Sequence, residues 1–150
     1  MLIDFLPMIS QLIYHSIAVE SLTAQDIQDI LQTARSFNTD HQITGCLLFH
    51  NREFLQILEG EKKAVHQLYD KITLDNRHTH VYTIFEDLST DRLYQNWAMA
   101  YHALRTQDMQ ELEGILPMQD FINLHTLKEA TSHSQMMFYF VANKIMKQQW

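Results

Sequence analysis

Gln56 is the side chain whose surroundings most narrowly define its chemistry. It lies inside Phe54-Leu-Gln-Ile-Leu58, where every neighbour is apolar, and strand alternation sets it on one face with Phe54 and Leu58. If that face points inward, the amide is desolvated, at a cost of roughly 1–3 kcal/mol unless its donors and acceptor are matched. A carboxamide both donates and accepts, so rotation or a change of tautomer reverses the hydrogen-bond pattern it offers. Gln56 is therefore either a functional amide or a satisfied core or edge glutamine. Tyr14 alternates with Leu12 and Ser16 and can face the same core. A buried phenol needs a partner for its hydroxyl, and Gln56 would suit. The structural reading of Tyr14 is the plainer one, but a phenol is also a source of both an electron and a proton.

Further polar residues carry two readings each. Asn38, in Ser36-Phe-Asn-Thr-Asp40, either ends a helix in the left-handed conformation or offers its amide to a planar heterocycle. Lys71, Asp75, Arg77 and His78 gather where a second helix should end. They form either a solvated C-terminal turn or a set able to hold a sugar-alcohol chain or phosphate. The 9 histidines are scattered, and only His78 and His80 are close, without Cys or carboxylate at ligand spacing, so no metal site is expected. The single Cys46 sits in a β-like run and should pack rather than attack. With no nucleophile elbow, P-loop or GxGxxG turn, a nucleotide would have to bind without a glycine-rich cradle.

These residues need elements to position them. Gln11 to Ser16 reads as a strand. Thr23 is a candidate N-cap with Asp26 three residues on, and Leu22 with Ile27 can form a hydrophobic staple. Ile27, Ile30, Leu31 and Ala34 then mark one helical face. Thr44–His50 and Glu53–Glu59 read as strands joined tightly through Asn51-Arg52. A second helix, Glu61 to Leu74, would bury Val65, Leu68, Tyr69 and Ile72, with Lys62 and Lys63 at its solvated start. Strands near Val81–Asp87 and Trp97–Tyr101 complete a βαββαββ order, an α+β, ferredoxin-like sheet with two helices on one face. Residues Thr106 to Trp150 read as mainly helical, and Met136, Met137, Phe140, Val141 and Ile145 could cover the sheet's other face or meet a partner.

Composition fits this picture. At 150 residues, 46% hydrophobic and with 3 Gly and 2 Pro, the chain is the size of one compact domain. A formal net charge of −7 argues against a nucleic-acid surface. The lone cysteine suits a reducing compartment. The apolar start carries Asp4, lacks a basic leader and is too short to span a bilayer, so a cytoplasmic protein without membrane contact is expected.

Taken together, Leu12-Ile-Tyr14, Asn38 five residues before Ile43-Thr-Gly45, Phe54-Leu-Gln-Ile-Leu-Glu-Gly60, the segment Tyr69 to His78 and Trp97-Ala-Met99 resemble the BLUF family of flavin photosensors. The resemblance runs from about Gln11 to Leu104. It implies a flavin between the two helices, FAD first, with FMN or riboflavin as alternatives. Asn38 would bond the ring edge, Ile30 and Ile72 would pack on the ring, and Lys71, Asp75, Arg77 and His78 would lie near the ring edge, ribityl or phosphate groups. It also implies that light draws an electron and then a proton from Tyr14 and leaves Gln56 rotated or tautomerised, with a red-shifted spectrum. Trp97 and Met99 would compete for the place beside Gln56 and relay the signal.

Residues 10–104 are thus expected to form the flavin-binding domain and 105–150 a helical extension for output or oligomerisation. The expected role is regulatory rather than enzymatic. It would act on an unidentified protein partner such as a transcriptional or response regulator, with self-association into a homo-oligomer. Lys71 in place of the commoner Arg, and Ala34 where some relatives carry Ser, depart from the family pattern, and the tail matches nothing identified. Two other readings stay open: a light-insensitive ferredoxin-like binding module, and a small flavin-dependent enzyme.

Overall fold

The computed structural model describes residues 8–95, 98–103 and 133–147. Along them run β1 (Ile9–Ala18), α1 (Ala24–Asp40), β2 (Thr44–His50), β3 (Glu53–Gly60), α2 (Lys62–Thr73), β4 (His78–Ser89), β5 (Ala100–Ala103) and α3 (His133–Lys147). The strands form one sheet in the order β4-β1-β3-β2-β5, with β5 parallel to β2 and the other pairings antiparallel. This is the expected ferredoxin-like α+β sheet, with α1 and α2 on one face.

Local chemistry explains the element boundaries. Thr23 Oγ1 accepts from the Asp26 amide at 3.1 Å, and the Asp26 carboxylate accepts from the Thr23 amide at 2.9 Å, a complete capping box. The β2–β3 hairpin turns on Asn51 and Arg52 at φ 53° and 67°, the left-handed pair that matches the twist of the strands. The Arg52 guanidinium bonds the Val19 carbonyl, which helps to offset the cost of that conformation in a non-glycine residue.

The left-handed reading of Asn38 is corrected. Helix α1 continues through Asn38 to Asp40, and the residue with positive φ is Gln42, at 55°. Asn38 is wholly buried, and its carbonyl accepts from the Ile43 amide at 2.8 Å as the chain turns into β2. β5 also differs from expectation. It begins at Ala100, so Ala98 and Met99 form the approach to the strand, and Trp97 lies outside the described residues.

Strand alternation divides the core in two. Leu12, Tyr14, Leu47, Phe54 and Leu58 meet α1 and α2, whereas Ile13, Cys46, Leu48, Leu55 and Ile57 meet α3. The second face is covered by a helix, as expected, and of the residues expected to cover it Met137, Val141 and Ile145 do so. Phe138, Tyr139, Ala142 and Ile145 are buried and Met137 and Val141 partly so, while Met136 and Phe140 are 46% and 50% exposed. Met136 and Phe140 lie two residues from Phe138 and Ala142 respectively, about 200° round the helix from that seam.

The β4–β5 connection is fastened by a buried carboxylate. Glu59, on β3, accepts from Gln11 Nε2 at 2.8 Å and from the backbone amides of Leu93 and Tyr94 at 2.6 and 2.8 Å. Burial pushes its carboxyl above the usual range while these donors pull the other way. Glu59→Gln sets an NH2 group where acceptors are needed. It should cost about 1–3 kcal/mol in urea unfolding, and an unchanged midpoint would show that the carboxylate does not hold this connection.

Candidate functional site

A cleft of about 220 Å³, open at its mouth, lies between α1 and α2 above the sheet. Its floor is Tyr14, Leu47, Phe54 and Gln56. One wall is Ile30, Thr33, Ala34, Phe37 and Asn38 from α1, the other Leu68, Lys71 and Ile72 from α2, and Asp75, Arg77 and His78 complete the lining. Every residue expected to contact a cofactor (Tyr14, Ile30, Asn38, Gln56, Lys71, Ile72, Asp75, Arg77 and His78) borders this one space.

Antiparallel pairing sets Tyr14 directly opposite Gln56, and both are 4% exposed. The Tyr14 hydroxyl donates to Gln56 Oε1. Gln56 Nε2 donates in turn to Met99 Sδ at 3.1 Å. A thioether accepts and has nothing to donate, so Met99 dictates which end of the amide faces it and leaves Oε1 for Tyr14. Burial pushes the Tyr14 phenol far above its ordinary range, with Tyr69 and Asp75 adding to the effect. Its proton therefore stays on the phenol oxygen, directed in a hydrogen bond at Gln56 Oε1. Met99 is 1% exposed, so it occupies the inward place in this arrangement.

Asn38 uses half of its amide within the chain. Nδ2 donates to the Ala98 carbonyl at 2.7 Å, while the buried Oδ1 has no partner among the described groups. A buried acceptor left unmatched costs about 1–3 kcal/mol, so this atom calls for an N–H from a ligand. Around it the cleft is mostly aliphatic and aromatic, a suitable surround for a flat ring system whose polarity is confined to its edge.

The remaining polar lining is engaged within the protein. Arg77 Nε and Nη2 reach Asp75 at 2.9 and 2.5 Å, and this ion pair holds the Asp75 carboxyl below its usual range. His78 Nε2 lies 2.7 Å from the Ile72 carbonyl and Nδ1 2.8 Å from Ser16 Oγ. A carbonyl only accepts, so Nε2 carries a proton. The Lys71 ammonium sits 4.4 Å from the Phe37 ring centroid.

Sequence reasoning did not single out Thr33, Phe37, Leu47, Phe54 or Leu68 as cleft residues. The signal was present: Thr33 and Phe37 share a helical stripe with Ile30 and Ala34, and Leu47 is the β2 partner of Gln56. No group of three or more His, Cys, Asp or Glu side chains among the described residues is arranged to hold a metal ion. No helix among them is long and apolar enough to cross a membrane.

Known proteins resemble this chain over most of its length. A photoactivated adenylate cyclase subunit beta from Euglena gracilis is 35% identical over 116 residues, which is 77% of this chain and 13% of the relative. The blue light- and temperature-regulated antirepressor BluF of Escherichia coli K12 is 28% identical over 70% of this chain and 26% of its own length. This chain thus spans only a small part of either protein. Among solved structures, BlsA in its ground state aligns with TM-score 0.66 at 28% identity, over 94% of this chain and 89% of BlsA. Klebsiella pneumoniae BlrP1 with FMN and cyclic diGMP aligns with TM-score 0.70 at 29% identity, over 93% of this chain and 35% of that one. The family model described as "BLUF: Sensors of blue-light using FAD" matches residues 9–100. On that match the chain belongs to the BLUF family.

Proposed function

We propose that this chain is a blue-light photoreceptor that holds FAD in the α1–α2 cleft and signals through Tyr14, Gln56 and Met99. The observation that carries this reading is the buried Tyr14–Gln56 hydrogen bond on the floor of the cleft. The unmatched Asn38 Oδ1 supports it, because the imide edge of an isoalloxazine offers the N–H that this atom lacks. FMN and riboflavin share that ring, so the ring-facing residues would read them alike.

When bound, a flavin would supply a blue-light-excited state able to take an electron, and Tyr14, on the floor of the cleft, would be the donor. Its proton follows the existing hydrogen bond to Gln56 Oε1, because burial denies it any aqueous acceptor. Once the electron and a proton return to Tyr14, Gln56 would be left as a rotated amide or as its tautomer. In the rotated amide, Oε1 faces Met99 Sδ, two acceptors with no hydrogen between them. Met99 loses its reason to stay inward, and Trp97, two residues earlier, is its natural competitor for the place. The shift moves the approach to β5, and residues 105–150 carry it from the photosensory residues 10–104 to a partner protein or to a second copy of the chain. The chain is thus a regulator rather than an enzyme.

Purified holoprotein should show a red-shifted flavin spectrum during blue illumination that reverts in the dark. Colourless protein, or a light-insensitive spectrum, would overturn the reading in favour of a plain binding module. Tyr14→Phe should retain flavin and lose the red-shifted state, and a normal photocycle in that variant would remove Tyr14 as the donor. Gln56→Leu should also lose the native shift, and its survival would dismiss the amide from the mechanism. Asn38→Ala should raise the Kd for flavin by roughly 5- to 150-fold, the equivalent of about 1–3 kcal/mol, as read by flavin release on dilution. Unchanged retention would leave Asn38 a purely structural role.

A further inference from the structure

Arg35 does not line the cleft, yet it touches the segment that the signal must move. Its Nε donates to the Met99 backbone carbonyl at 3.1 Å, and one helical turn on, Asn38 Nδ2 donates to the Ala98 carbonyl at 2.7 Å. Consecutive carbonyls at the approach to β5 are therefore gripped by side chains from a single face of α1. The Met99 side chain meanwhile accepts from Gln56. We propose that Arg35 is a positioning residue which, with Asn38, clamps the Ala98–Met99 backbone to α1 and keeps Met99 against Gln56 until light releases it. This inference rests on the photosensor reading for its trigger, but the clamp itself is a property of the chain without its cofactor.

The physical case has three parts. β5 is a strand of only four residues at the edge of the sheet, paired on one side to β2, so ladder bonds alone hold it weakly. A guanidinium N–H to a carbonyl is a charge-assisted bond, stronger than a neutral one, so its loss is felt. Finally, the two grips differ in what they sense. Asn38 holds Ala98 with one end of its amide and faces the cleft with the other, so cofactor and β5 share one side chain. Arg35, which does not line the cleft, holds the Met99 carbonyl.

The test replaces Arg35 with Met, which keeps the aliphatic stem and removes the donors, and with Lys, which keeps a charged donor. Amide hydrogen exchange across Ala98–Ala103 is followed in flavin-free protein and in holoprotein, dark and illuminated. In Arg35→Met, exchange of this segment should be at least tenfold faster in flavin-free protein, with flavin affinity unchanged. In its holoprotein the red shift should still form, but the light–dark difference in exchange at this segment should collapse. Arg35→Lys should recover part of the protection. Equal exchange in Arg35→Met and the unsubstituted protein, or slower exchange, would overturn the clamp. If Arg35→Met does not fold, the Arg35 Nε–H of the unsubstituted flavin-free protein supplies the readout: slow solvent exchange supports the clamp and free exchange overturns it. Absence of a red shift in the unsubstituted holoprotein would instead count against the photosensor reading, leaving the flavin-free comparison as the test of the clamp.

Discussion

The site depends on the direction of one carboxamide. Met99 sulfur accepts hydrogen bonds and cannot donate them, so the Gln56 NH2 must face it and the carbonyl oxygen must face Tyr14. Neither end is free to turn alone, because the phenol, amide and thioether are all nearly excluded from water. Such a chain is stable as it stands and costly in partly matched intermediates, which is the condition for a switch with two discrete settings. Antiparallel register supplies the geometry without special loops: Tyr14 and Gln56 are cross-strand partners, and Met99 arrives from the segment leading into β5, the far neighbour of β2.

The helices solve a different problem, holding a flat apolar space open at close quarters to that chain. Residues on α1 and α2 face each other across the cleft, and beyond Thr33 and the Tyr14–Gln56 pair its polar lining is Asn38, Lys71, Asp75, Arg77 and His78. Of these, Lys71, Arg77 and His78 are already occupied by Phe37, Asp75, Ser16 and Ile72. Those contacts tie the end of α2 and the start of β4 to one another and to β1. Asn38 Oδ1 is different: its matching partner must come from outside the described protein groups.

Much of this was legible in the sequence for identifiable reasons. The amide in an otherwise apolar strand marked Gln56, and alternation placed Tyr14 on the same face. Thr23 with Asp26 marked the start of α1, and Asn51-Arg52 the hairpin. Less was legible where tertiary contacts override local pattern. Asn38 has the composition of a helix terminator, yet it is retained in the last turn because its side chain is drawn into the core and bonds Ala98, 60 residues away. Helix α3 is apolar on most sides, so pattern alone could not choose the stripe that Phe138, Tyr139, Ala142 and Ile145 form. Arg35 gave no signal, because its partner is a backbone carbonyl, and carbonyls look alike in every sequence.

Gly45 lends this arrangement its close packing. A methyl group built there would lie 2.0 Å from the Ile57 carbonyl oxygen and 3.3 Å from Met99 Cε. The bare hydrogen lets β2 approach β3 closely and leaves the thioether chain resting on a smooth bed instead of a knob. A flexible unbranched side chain on such a surface can slide away while the strands beneath stay paired, so the sheet can report a change on one side without being rebuilt.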